Sequence, residues 1–340
     1  MRQLCVFLLG LFSCTIFSAA TKTSEELVFS LKDFELVTIS EFTELPADVW
    51  TSGRVKYVGD DIVLTVEKAA QEMIVSHNLK TGKNQRFLSR GRGPGECLFV
   101  RDITVYGDSI YVSSINDGKI LTFYKNAKKK IEYAHEESFD PYCVRAIPLP
   151  TGGILCLPLT GERFLRIYKD KVEELGSFLK IKGDQNALNN SAVQSMTAAS
   201  PNGRFVCSVY QDIDCIEVYS NDFTRVLRLL GPEKSTPKVR VKENPFGVSF
   251  TLEPAKLVYS SLSVSDKGFV VGYIGQLFKN SDEVSRNIKE LLYFDWDGRC
   301  RTRFLLPEEV VYFDVDWDGG RMIGVTGGDV PRLVTAKLKL

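Results

Sequence analysis

A glycine-bearing turn between two short apolar runs recurs six times along this chain, at Gly59, Gly107, Gly152, Gly203, Gly268 and Gly319. A third, aromatic-bearing run follows each turn, and successive turns lie 45 to 65 residues apart. That spacing is within or near the period of β-propeller blades. Because the repeat covers nearly the whole chain, the expected fold is all-β, a single six-bladed β-propeller domain over residues 21–340. A pair of β-sandwiches also spaces short strands regularly, but it accounts less well for a sixth repeat that lacks an outer strand.

The second repeat shows the unit most plainly. Residues 100–106 form strand a, Gly107-Asp108 turns, 109–113 form strand b, Asn116-Asp117-Gly118 turns again, and 119–124 form strand c. These runs alternate or are rich in β-branched residues. The third repeat places strands at 143–149, 154–157, 163–168 and 173–178. The fourth places them at 194–200, 204–210, 215–219 and 224–230, with Asn202-Gly203 as a strong hairpin signal. The first repeat begins near Arg54, the fifth at Leu257 and the sixth at Tyr312. After the sixth repeat's third strand, 332–337, too little chain follows for a fourth, while the alternating segment 34–42 has no blade of its own. The expectation is that this N-terminal segment becomes the outer strand of the last blade, closing the ring and covering an open sheet edge.

The first twenty residues differ from the rest. Arg2 is the only charge before Lys22, and residues 4–17 form a continuous apolar or small run. This reads as a secretory leader, residues 1–20, with Ser18, Ala19 and Ala20 placing cleavage before Thr21. A competing reading takes Leu11-Phe12-Ser13-Cys14 as a loose lipobox with Cys14 lipidated. Both imply export to the periplasm or cell envelope, with membrane contact only through a lipid anchor. Lys plus Arg number 43, as do Asp plus Glu, so nucleic acid is not an expected partner. The cysteines beyond the leader lack metal-site spacing. Cys207 and Cys215 flank Gln211 symmetrically and are a candidate disulfide, or else two small buried side chains.

Gly91-Arg92-Gly93-Pro94-Gly95-Glu96 resembles the G-x-G-P-G-E signature of TolB-like six-bladed propellers, abundant among exported proteins of Bacteroidetes-type bacteria. Ser200-Pro201-Asn202-Gly203 resembles the family's S-P-D-G turn, and residues 210–219, with Gly231-Pro232-Glu233 after them, resemble its central hairpin. The resemblance runs from about Phe34 to the C-terminus. It implies the fold and an exported setting, and no activity.

In such a ring the b–c loops and blade-to-blade connectors gather on one face, the usual ligand surface. Candidate binding residues there are Arg90, Arg92 and Glu96 of the first connector, Arg163, Tyr210, Asp212 and Asp214. Near the channel mouth stand Arg101, Asp102, Arg145, Gln194, Tyr259 and Asp314. Arginines, carboxylates and tyrosines together suit a polar ligand or peptide. The glycine-rich connector invites a phosphate-loop reading, but it lacks the Walker pattern and Pro94 removes one N–H, so a tight turn tied by Glu96 competes with it. With only His77 and His135 present, histidine-based catalysis is not expected. Asp102, Asp214 and Asp314 are the carboxylates available to a divalent cation, yet no loop has a dense acidic pattern. No metal site and no cofactor are therefore expected.

Two long stretches, 232–254 and 275–288, fall on the same face and suggest a lid or docking rim. The expected function is an exported, noncatalytic binding or scaffold protein engaging a peptide, protein or glycan. The alternatives are a hydrolase or lyase using channel-mouth carboxylates with a divalent metal, and a structural component of an envelope assembly. Three clustered carboxylates at the mouth would favour the enzyme.

Overall fold

Four of the six repeat glycines, Gly59, Gly107, Gly152 and Gly203, sit in the left-handed backbone region that the a–b turn demands. At the sixth turn that role passes to Gly320, next to the expected Gly319. Gly268 answers a different need, because a Cβ there would run into the carbonyl oxygen of Phe294. The computed structural model describes residues 23–45, 53–65, 71–140, 143–158, 162–169, 171–179, 195–232, 238–244, 247–253, 256–277 and 287–340. The leader, Cys14 and Gln194 lie outside them.

Each blade is an antiparallel meander. Blade one comprises Val55–Val58, Asp61–Thr65, Glu72–Asn78 and Asn84–Ser89, and blade two comprises Asp102–Tyr106, Ser109–Ser114, Lys119–Lys125 and Ile131–Ser138. Blade three is Cys143–Pro148, Ile154–Pro158, Phe164–Tyr168 and Lys171–Leu175; blade four is Ser195–Ala199, Phe205–Tyr210, Cys215–Ser220 and Arg225–Leu230. Blades five and six share one eight-stranded sheet, because the strand Cys300–Asp316 serves both. Its first part pairs with Ile288–Asp295 as the outer strand of blade five. Its last part pairs with Arg321–Thr326 as the inner strand of blade six.

Six apolar layers, one between each adjacent pair of blades, hold the described residues together. Val58, Phe87, Ile103 and Phe123 pack blade one on two, and Ile120, Cys156 and Ile167 pack two on three. Leu157, Phe164 and Tyr219 join three to four, Val209, Tyr259 and Phe269 join four to five, and Leu291, Phe304 and Phe313 join five to six. The last layer, Val55, Ile62, Leu64, Ile323 and Val325, sets blade six against blade one and completes the ring. The repeated Asp-Trp-Asp-Gly turns belong to this packing: Trp296 stacks on Phe205 of blade four at 4.9 Å, and Trp317 meets Tyr293 of blade five at 5.5 Å.

The closing N-terminal strand is real but shifted. Thr43–Glu44 pairs with Thr335 and Val334 as the fourth strand of blade six, and the Leu45 N–H donates to the Leu333 carbonyl at 2.8 Å. Within the expected segment 34–42, however, Glu35–Thr38 runs parallel to the outer strand of blade five. Before it, Thr23–Val28 runs parallel to Arg225–Leu230 as a fifth strand on blade four. One strap therefore crosses the outer edges of three consecutive blades. Phe29 and Phe34 pin it, each meeting Phe294 edge-on at 5.1 Å.

One further expectation changes, and of the two readings of Cys207 and Cys215 the buried, unbridged one holds. Within the long connector 232–254, Lys238–Asn244 and Gly247–Glu253 form an antiparallel hairpin of their own. The register of blade four sets Cys207 opposite Val218 and Val209 opposite Ile216, so the turn centres past Gln211 and the two thiols do not face each other. Cys207 and Cys215 are separate, buried free thiols.

Candidate functional site

Every strand a begins on the face that carries the b–c loops and connectors, so period-two alternation turns one side chain in two toward the channel there. In blade one this exposes Arg54 and Lys56 to the channel while Val55 is buried between blades. In blade two it presents Asp102 and in blade three Arg145, whereas Asp314, expected at the start of the blade-six inner strand, faces the channel two residues before that strand ends at Asp316. These five line a cavity of about 330 Å³.

The charges are tied across blade boundaries. Asp102 stands between two guanidinium groups, with Arg54 Nη1 at 3.3 Å on one oxygen and Arg145 Nη1 on the other. Lys56 Nζ lies 3.2 Å from Asp314 Oδ1 and donates to the Leu262 carbonyl at 3.3 Å, while the Tyr57 N–H donates to the other Asp314 oxygen at 3.0 Å. Burial alone would raise the Asp102 pKa, but Arg54, Arg145 and Lys56 outweigh it and hold the carboxyl below its ordinary value. Burial lowers the Arg145 pKa, and although Asp102 opposes this, Arg54 and Arg101 add to the lowering. Arg101 itself donates from Nε to the Val144 carbonyl at 3.2 Å.

A second group of expected site residues is sealed from solvent. Arg163, 3% exposed, donates to Ser195 Oγ at 3.1 Å and Ser208 Oγ at 2.6 Å, and lies 3.4 Å from Glu217. Its guanidinium sits between the Phe164 and Tyr210 rings, 4.4 and 4.8 Å from their centroids. The Tyr210 hydroxyl donates to Glu217 Oε2 at 3.0 Å, and Arg228 Nε donates to Oε1 at 3.1 Å. This network ties blade three to blade four. Tyr259 donates to Asp214 at 2.6 Å between blades four and five; burial, with Asp214 beside it, pushes its hydroxyl pKa far upward, so it stays neutral and donating. Asp212 is half-buried in the neighbouring loop.

The glycine-rich connector satisfies its own amides. The Gly93 N–H donates to Glu96 Oε2 at 2.9 Å and the Gly95 N–H to Glu136 Oε2 at 3.1 Å. The Gly95 N–H, with Lys119 at 3.2 Å, holds the Glu136 carboxyl below the ordinary glutamate value despite some desolvation. Two of the amides a phosphate would need are thus occupied by internal carboxylates. Arg90 Nη1 donates to the Leu98 carbonyl at 3.0 Å, and Arg92 is exposed.

The structure therefore brings Asp102, Arg145 and Asp314 together, with Arg101 at their edge, and disperses the other expected residues into inter-blade ties and the connector turn. Arg54 and Lys56 are additions. Their signal was the alternation Arg54-Val55-Lys56-Tyr57 at the start of a strand a, which places both cations on the channel side. Among the described residues no three His, Cys, Asp or Glu gather as a metal-binding cluster.

The family profile described as TolB-like 6-blade propeller-like matches residues 54–318. Among solved structures, a Bacteroides fragilis protein named as an exported one aligns with a TM-score of 0.54 at 10% identity, covering 93% of this chain and 100% of that one. A duf4221 family member from Bacteroides vulgatus aligns with a TM-score of 0.57 at 11% identity, covering 88% and 96%. No curated protein matches the chain.

Proposed function

We propose, from the premise that the chain belongs to the TolB-like six-bladed propeller family, that it is an exported, noncatalytic binding protein. It engages a peptide, protein or glycan through the face that carries the b–c loops and connectors. The observation that supports this is the state of the channel-mouth carboxylates. A general base at neutral pH works best with a pKa near 7, and the Asp102 pKa moves the other way, between two guanidinium groups. Asp314 spends its two oxygens on Lys56 and the Tyr57 amide. Two carboxylates held as counter-ions suit a rigid recognition surface better than acid–base chemistry.

The leader sequence and the likeness to a protein named as exported support an extracytoplasmic setting. The experiment screens the mature protein on peptide and glycan arrays and examines each captured ligand by mass spectrometry. The expected result is saturable binding with the ligand recovered unchanged. Turnover that is halted by Asp102→Asn or Asp314→Asn would overturn the reading in favour of a channel-mouth enzyme.

A further inference from the structure

Cations and carboxylates from several blades meet in the channel cavity. Arg54, Lys56 and Arg145 line it, against Asp102 and Asp314. Arg101 is near enough to Arg145 to add to the lowering of its pKa. Asp316 and Asp318 also line the channel, but at the far end of the blade-six inner strand, where Asp316 pairs with Arg321 at 2.7 Å. The cavity lining thus sets three cations among four carboxylates, and Asp316 has a further partner in Arg321.

The cations are held in place and retain donors. Asp102 engages Nη1 of Arg54 and Nη1 of Arg145, and each guanidinium carries five N–H donors in a planar fork. The Arg145 side chain is only 8% exposed, so its position is fixed by packing, and the Arg54 guanidinium lies 5.7 Å from the Tyr312 ring centroid. Lys56 uses its ammonium on Asp314 and the Leu262 carbonyl, leaving a third donor. A cavity of about 330 Å³ stands at the small end of ligand sites, roughly 300–1,000 Å³, and admits a group the size of one sugar or a dipeptide.

We propose that the channel mouth binds a carboxylate, carried by an acidic sugar or by a peptide C-terminus, with Arg54, Arg145 and Lys56 as its recognition groups. The incoming anion accepts charge-assisted hydrogen bonds from the donors of the two forks that Asp102 leaves unused. This proposal rests on the binding-protein reading and names the chemistry of its anchor.

Calorimetry on the full mature protein tests it with four probes: D-galacturonate against D-galactose, and N-acetyl-Ala-Ala against its C-terminal amide. At least one acid is expected to bind about tenfold or more tightly than its neutral counterpart, as one or two charged hydrogen bonds provide. Which acid it is identifies the source of the carboxylate. Arg54→Gln is expected to remove that preference with little change in melting temperature, because Arg54 is 31% exposed and Asp102 keeps Arg145. If Arg54→Gln does not fold as the parent does, Lys56→Gln carries the same expectation. Added NaCl should weaken the acid and leave the neutral probe unaffected. The proposal is overturned if neither acid binds, if acid and neutral probes bind alike, or if the folded variant retains the preference. Neutral ligands captured on the arrays would then still sustain the binding-protein reading, so the two fail separately.

Discussion

Phe34→Ala tests whether the N-terminal strap is part of the ring or an appendage laid upon it. Phe34 is 7% exposed, and its ring meets Phe29 at 5.9 Å and Phe294 at 5.1 Å, both edge-on. Burying a phenylalanine contributes about 1.5–3 kcal/mol, and each aromatic pair adds about 0.5–1.5 kcal/mol. The total agrees with the roughly 3–5 kcal/mol lost in Phe→Ala core substitutions. Unfolding entropy of about 2.1 cal/mol/K per residue gives about 0.7 kcal/mol per kelvin for a domain of this length, so the melting temperature should fall by roughly 4 to 7 °C. Leu36→Ala is the control: it lies on the same strap, is 57% exposed, and should change stability by less than about 0.5 kcal/mol. Calorimetry reads both, and hydrogen exchange over residues 23–45 locates the loss. Fast exchange of the strap in Phe34→Ala with an unchanged melting temperature would refute the reasoning, since the strap would then open independently of the ring.

Gly95→Val should destabilise by about 2–3 kcal/mol, because Gly95 has φ +74° and an added Cβ would press on the Tyr133 ring at 3.2 Å. Arg92→Ala, on an exposed residue of the same turn, should stay within about 0.5 kcal/mol; strong stabilisation of the parent by phosphate, lost in Arg92→Ala, would make the turn an anion site. Glu217→Gln should cost about 3–5 kcal/mol in urea unfolding, since it leaves the buried Arg163 and the half-buried Arg228 without their counter-ion. Asp102→Asn should lower stability at pH 7. Because the folded-state pKa of Asp102 is depressed, the contribution is fully present above about pH 4 and is lost as pH falls through the folded value. The gap between parent and variant should therefore narrow below about pH 4 in pH-dependent melts, and a constant gap would reject the ion-pair explanation.

The blades were legible because their signals are local. Alternation, Gly turns and Asn202-Gly203 act within a few residues, and the observed strands of blades two and four depart from the expected ones by one or two residues at their ends. The closure was harder. A strap residue has no neighbour in sequence that states which edge it joins, and parallel addition at Glu35–Thr38 and Thr23–Val28 leaves no turn signal. The expectation counted one open edge, on blade six, while three successive edges receive chain. The hairpin 238–253 escapes for a related reason: its residues look like a charged connector, although Val239 and Val241 alternate opposite Leu252 and Phe250.

The site was half legible because polar residues on inner strands have two uses that look identical in sequence. Asp102 meets Arg145 across 43 residues and Asp314 meets Lys56 across 258, so neither pair leaves a local pattern. Arg163 and Tyr210 have the side chains of a ligand site, yet both are buried and donate to Glu217, which lies in the hairpin motif 210–219 but was not singled out there as a partner. What separates the two uses is solvent. A buried ion pair loses much of its gain to desolvation and chiefly fixes which groups meet, which is how Arg163 and Glu217 act between blades three and four. In the channel the same residue types face a cavity, which is what makes them the candidates for the proposed ligand. A blade interface and a candidate binding site are thus built from one vocabulary, and only the ring geometry tells them apart.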